Sequence, residues 1–239
     1  KRLSNLAGIV LILLMAGLPV LTRAGLGLIV LACGALWLLW SLTRTPARIG
    51  AISGWLLLFL AVAVLATGVS PVPSAAAKGL LKLISYLGVY ALMRQLLEVR
   101  PEWWDLLVAA LLGGSLLSTV LALRQLYAPT EELARWADPN SVAEGTIRIY
   151  GPLGNPNLLA GYLVPILPIA MVAMIRWRGW GSRLYAAAAL ALGCAATLFS
   201  YSRGGWLGMV ASLGALLLLL LRYIRHWPVF WRRLLPFAL

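Results

Sequence analysis

Acidic residues are scarce in this chain and missing from the middle of every apolar run. Seven Asp and Glu stand against twenty Lys and Arg, and charged residues of both signs make up 11% of the sequence. Glu98, Glu102 and Asp105 fall in one connection between apolar runs; Glu131, Glu132, Asp138 and Glu144 fall in another. A buried sodium site or proton relay commonly uses an acid inside a span, so the pattern counts against both. The single histidine, His226, sits in a basic tail beside Arg222, Arg225 and Trp227. That context fits an interfacial residue rather than a general base. With no His/Asp/Glu cluster, neither a metal nor another cofactor is expected. Cysteine is also rare. Cys33 and Cys194 each lie mid-run without ligand spacing, so both read as small apolar packing residues rather than a disulfide or metal pair.

What the chain has in excess is hydrocarbon. Hydrophobic residues make up 62% and the mean hydropathy is +0.91, well beyond the roughly 45–50% apolar content of a soluble domain. Long uncharged runs recur, and they predict an all-α, polytopic helical membrane protein. Eight candidate spans lie at approximately 5–21, 24–40, 51–69, 79–97, 105–123, 156–175, 184–200 and 205–221. The first is long enough to remain as a span rather than act as a cleaved signal. Residues 1–239 read as a single transmembrane domain with one long extracytoplasmic loop, 124–155. The chain begins at Lys1 and ends within an apolar stretch, so a fragment of a longer chain is expected.

The formal net charge of +13 invites a nucleic-acid reading. The basic residues, however, are spread over the connections and form no basic face with interleaved aromatics, so no nucleic-acid partner is expected. Anionic membrane lipids and the positive-inside bias account for the excess better. With the N-terminus inside, thirteen Lys and Arg fall on the inner side and seven on the outer. The connection 176–183, with Arg176, Arg178 and Arg183 and no acid, is the clearest inner loop. The arrangement is therefore N-in, C-in, and Arg148 and Arg203 both face outward. Trp37, Trp40, Trp55, Trp103, Trp104, Trp177, Trp180 and Trp206 fall near span ends, where an amphipathic ring suits the headgroup zone. Gly113-Gly114-Ser115 and Ser118-Thr119 predict close helix packing in span five.

Two segments could carry chemistry. In Gly154-Asn155-Pro156-Asn157, Asn155 suits an N-cap and Pro156 the first helical position. A helix starting there turns its partial positive charge and free amides outward, where they could meet an anion. Arg148 lies seven residues upstream. The plain alternative is a well-capped helix with a surface arginine. In the second segment, Ser200-Tyr201-Ser202-Arg203-Gly204-Gly205, the paired glycines predict a tight turn with positive φ and amides free to meet a ligand. A four-residue turn also needs glycine on geometric grounds alone. Arg203 in an apolar hairpin is costly unless it pairs or snorkels. Arg148, Asn155, Asn157, Arg203, Gly204 and Gly205 are thus the candidate anion-binding residues, and no catalytic residue is assigned. Between these segments, Pro165 and Pro168 should kink span six and free carbonyls. In span four, Lys82 and Arg94 lie near enough to the ends to snorkel.

Arg148-x-x-Gly151 with Gly154-Asn-Pro-Asn157, followed after a span by Ser202-Arg-Gly-Gly205, resembles the shared core of the O-antigen ligase and O-antigen polymerase superfamily. The resemblance covers most of residues 50–221, with its motif-bearing core at 148–221. Leu123-Arg-Gln-Leu126, Trp136-Ala-Asp-Pro139, Gly145-Thr-Ile-Arg-Ile-Tyr150 and Gly154-Asn-Pro-Asn-Leu-Leu-Ala-Gly-Tyr162 look closer to the cyanobacterial branch described as inorganic carbon transporter B. The resemblance implies a multi-pass protein of the plasma (inner) membrane that transfers glycan outside the cytoplasm from a polyprenyl-diphosphate-linked donor. Arg148 and Arg203 match the arginines that bind the diphosphate. The histidine that activates the acceptor in such ligases has no counterpart here, which puts catalysis by these residues in doubt. Bicarbonate transport and a non-catalytic membrane scaffold are the alternatives. Outward arginines and helix termini would serve a lipid diphosphate or bicarbonate equally.

Overall fold

A computed structural model describes residues 2–43, 50–127 and 147–224. Among these the protein is all-helical: α1 (Arg2–Gly17), α2 (Arg23–Thr43), α3 (Ala51–Gly68), α4 (Pro73–Val99), α5 (Trp103–Arg124), α6 (Pro156–Leu163), α7 (Ile166–Arg176), α8 (Trp180–Phe199) and α9 (Arg203–Ile224). Seven stretches are long and apolar enough to cross a membrane, with α6 and α7 together forming one of them. This is a multi-pass helical membrane protein.

The boundaries have local causes. α1 has 16 residues and stops at Gly17 rather than running to 21. Pro19 disfavours a helical Leu18 and has no N–H to continue the ladder. α4 reaches 27 residues because it starts at Pro73, six residues before the predicted span. Proline fits the first helical position, and Ser-Ala-Ala-Ala after it is good helix former that a hydropathy reading undercounts. The predicted break in span six is present: α6 and α7 are separated at Val164 and Pro165. Pro168 brings no N–H to the carbonyl of Val164, and Ser212 Oγ from α9 donates to that carbonyl at 3.4 Å instead.

Contacts divide the chain, read from sequence as one domain, into two compact units, Lys1–Leu111 and Leu112–Leu239. In the first, α1 and α2 pack on each other and on α4, with α3 against α4. Its core holds Leu11, Cys33, Trp40, Leu92, Leu96 and Leu107. Trp40, near the end of α2, is thus buried in protein, and Gly8 of α1 abuts the ring of Trp103, which packs on the same core. Trp55 and Trp180 are largely exposed, as an interfacial ring requires.

In the second unit α7 lies along α8, and α6 packs on α8 and α9. Approach is close where glycine allows it: a Cβ at Gly193 would lie 2.8 Å from Leu167 Cδ2, and one at Gly113 2.9 Å from the Tyr185 hydroxyl. Ser115, Ser118 and Thr119 of α5 are buried, consistent with the small-residue packing expected there. Ala122, Ile149, Leu159, Leu163 and Ala196 form the core beneath the segment 147–155.

Candidate functional site

The segment leading into α6 is anchored before its side chains are placed. Gln125, just past α5, accepts hydrogen bonds at its Oε1 from the amides of Tyr150 and Gly151, both at 2.9 Å. Gly151 has φ +56, and a Cβ there would stand 3.0 Å from Ala122 Cβ and 3.1 Å from the Ser118 carbonyl. The position therefore needs glycine for both its conformation and its space. Ile149 is fully buried and its amide donates to the Phe199 carbonyl at 3.3 Å. Arg148, next along the chain, is thereby carried to the end of α8.

There the Arg148 guanidinium bridges the two predicted segments. Its Nε donates to the Ser200 carbonyl at 3.1 Å and one terminal nitrogen donates to Asn157 Oδ1 at 3.2 Å. A cation at the carbonyl end of a helix is well placed against the helix dipole. Among the described residues two of the five guanidinium N–H groups have a partner, and three remain to meet a ligand.

At the start of α6, Asn155 Oδ1 accepts from the amides of Asn157 at 2.8 Å and Leu158 at 3.3 Å. Pro156 has no N–H, and the Leu159 amide is bonded to the Asn155 carbonyl. Every N-terminal donor of α6 is therefore spent, and Asn155 acts on its own helix. Asn157 keeps its side chain exposed, its amide oxygen engaged by Arg148.

The start of α9 is different. Ser202 caps it, its Oγ accepting from the Gly205 amide at 3.2 Å and its carbonyl from the Trp206 amide at 2.9 Å. Among the described residues the amides of Arg203 and Gly204 have no partner, and the exposed Arg203 side chain makes no hydrogen bond or ion pair. The expected turn is corrected here. Gly204 and Gly205 take no positive φ; they lie in the first turn of α9, and the left-handed residue is Tyr201, at φ +48. For a non-glycine residue that conformation is strained. Gly205 is buried because α6 passes against it, and a Cβ there would be 2.6 Å from Ala160 Cβ. Gly204 has open space where a Cβ would be.

The structure thus gathers Arg148, Asn155 and Asn157 with Ser200, and places Arg203 and Gly204 in the first turn of α9, three and four residues beyond Ser200. Sequence reasoning missed Gln125, Ser200 and Ser202, which position the site, and the strained Tyr201, whose ring lies 6.0 Å from that of Trp206. A buried-end glutamine and a Ser-x-Ser pair were visible, but nothing in them named their partners. The described residues of this unit contain no Asp, Glu or His, and among all described residues no group of three potential metal ligands comes together. The arrangement offers donors and positive charge: it can hold an anion. Trp136, Asp138 and the other acids of the loop, as well as His226, lie outside the described residues.

Compared with known proteins, the chain matches no family model, no curated protein and no solved structure.

Proposed function

We propose that this protein is an O-antigen ligase-like membrane protein of the plasma (inner) membrane, which takes glycan from a polyprenyl-diphosphate-linked donor on the extracytoplasmic side. The observation that carries the reading is the Arg148 bridge from Ser200 to Asn157. It unites the two arginine-bearing segments on which the resemblance rests. With the shorter apolar α1 taken as an eighth span, the N-in, C-in orientation drawn from the charge bias turns both segments outward. In this reading Arg203, with the unpartnered amides of Arg203 and Gly204, grips the diphosphate, and Arg148 contributes its remaining donors from a fixed position. Charge that builds on the leaving diphosphate would be met by these preorganised donors. The acceptor must be activated by a group other than the described residues of this unit, which hold no acid or histidine.

The test is a pair of assays on the full-length protein: glycan transfer from a polyprenyl-diphosphate-linked donor, and bicarbonate uptake in sealed vesicles. Glycan product without uptake, reduced in Arg203→Lys, is expected, because a guanidinium grips phosphate oxygens in a fork that an ammonium cannot reproduce. Potential- or sodium-dependent uptake lost in the same variant, with no glycan product from any donor, would overturn the reading in favour of bicarbonate transport.

A further inference from the structure

In the first unit α2 and α3 each pack along α4 but meet one another little. Glycine sets the approach of α2: a Cβ at Gly88 would lie 3.4 Å from Gly34 Cα, so the two backbones nearly touch. A hydrogen bond of 3.1 Å between the Ser53 and Tyr90 hydroxyls joins α3 to α4. Between the two walls, with α4 as floor, runs a groove of about 700 Å³. Leu31, Leu38, Leu57 and Leu60 line it with hydrocarbon, beside Trp37. Its polar groups are not scattered. Arg94 closes one end, and Tyr90 with Ser53 lies about one turn deeper along α4. Gly50 brings the start of α3 against Arg94, where a Cβ would stand 3.3 Å from the guanidinium. The positive end of the α3 dipole thus adds to the charge at this mouth.

Length and charge together select an occupant. From Ile84 to Arg94 the floor rises about 15 Å, half of the ~30 Å hydrocarbon core and so one leaflet deep. A long polyprenyl chain would overrun it; an ordinary acyl chain would not. The cationic end calls for an anionic head. We propose that this groove seats one acyl chain of an anionic membrane phospholipid, with the headgroup phosphate held at Arg94. On the N-in orientation this is a lipid of the cytoplasmic leaflet, remote in function from the outward anion site and independent of the glycan-transfer reading.

The full chain, delipidated in detergent, would be titrated with phosphatidylglycerol or phosphatidylcholine brominated on the acyl chain. Quenching of tryptophan fluorescence reports entry beside Trp37, and native mass spectrometry reports stoichiometry. One phosphatidylglycerol retained per chain is expected, bound about fivefold more tightly than phosphatidylcholine, the preference that one arginine near a membrane surface supplies. Arg94→Gln should erase the preference while leaving helical circular dichroism unchanged, and Leu57→Phe, which narrows the groove without adding a tryptophan, should reduce quenching by both lipids. Equal binding of the two lipids by the native chain, or a preference that survives in folded Arg94→Gln, would overturn the proposal.

Discussion

The start of α6 and the start of α9 have similar sequences of events and opposite outcomes. Each has an arginine at hand, Arg148 upstream of α6 and Arg203 as the first residue of α9, and each has an N-cap side chain that accepts from an amide of the first turn. At α6, proline removes one donor and Asn155 takes two, so the helix end keeps its dipole but has no N–H to give. At α9, Ser202 reaches one amide and two remain beside an exposed arginine. A helix terminus is thus an anion site only to the extent that its own cap leaves donors over. The asymmetry also separates the two arginines. Among the described residues Arg148 is a strut with spare donors, whereas Arg203 engages no partner.

The largest effect expected from this contrast is at Gly205. Gly205→Val would drive a branched side chain into Ala160 of α6, and overpacking of this kind costs about 1–3 kcal/mol or more. Thermal unfolding in detergent should show a clear fall in midpoint. A midpoint equal to that of the native chain would mean that α9 is not held on α6 as described. Next comes Asn155→Ala, expected to cost about 1 kcal/mol as a lost N-cap. Donor binding should survive it, since the capped amides take no part. If binding falls as much as stability, α6 contributes to the anion site after all and the contrast fails.

Gly204→Ala sharpens the same contrast from the other side. Nothing lies within reach of a Cβ there, and alanine is the better helix former by roughly 0.5–1 kcal/mol. Stability should hold or rise slightly while affinity for the diphosphate donor drops, because the added methyl stands beside the free amide. Unchanged affinity would remove Gly204 from the site.

The smallest effect concerns Glu102, in the connection before α5. A hydrogen bond from the Arg100 side chain, with which it also forms an ion pair, holds its carboxyl below the usual carboxylate value. A depressed folded value means that the pair supports the fold above the ordinary carboxylate range and loses that support as pH falls through the lowered value. Glu102 is fully exposed, so a melting series from neutral to acid pH should separate Glu102→Gln from the native chain only slightly, and only at the neutral end. A difference as large as that of Gly205→Val would contradict its surface position.

Hydropathy alone exposed most of the spans, because burial in lipid demands long apolar runs whatever the tertiary packing. Pro165 and Pro168 likewise announced the break in span six, since the lost N–H is a property of the residue itself. The start of α4 was hidden by small residues whose helix preference outweighs their modest hydropathy. Other features depend on partners distant in sequence. Arg148 finds Ser200 across 52 positions, and Gln125 finds the Tyr150 and Gly151 amides across a loop. Adjacent glycines 204 and 205 look alike in sequence, and only the passage of α6 makes one of them obligatory. The burial of Trp40 was hidden for the same reason, because a ring near a span end can meet lipid or a protein core.

The lengths of α1 and α4, neighbours in one unit, have a consequence for the surrounding bilayer. Sixteen residues rise about 24 Å and twenty-seven about 40 Å, so one helix falls short of a ~30 Å core and the other exceeds it. A shift in bilayer thickness that relieves one of them strains the other. The pair therefore favours a thickness between the two lengths, at which the bilayer thins toward the short helix and the long one leans, and both thinner and thicker bilayers raise its energy.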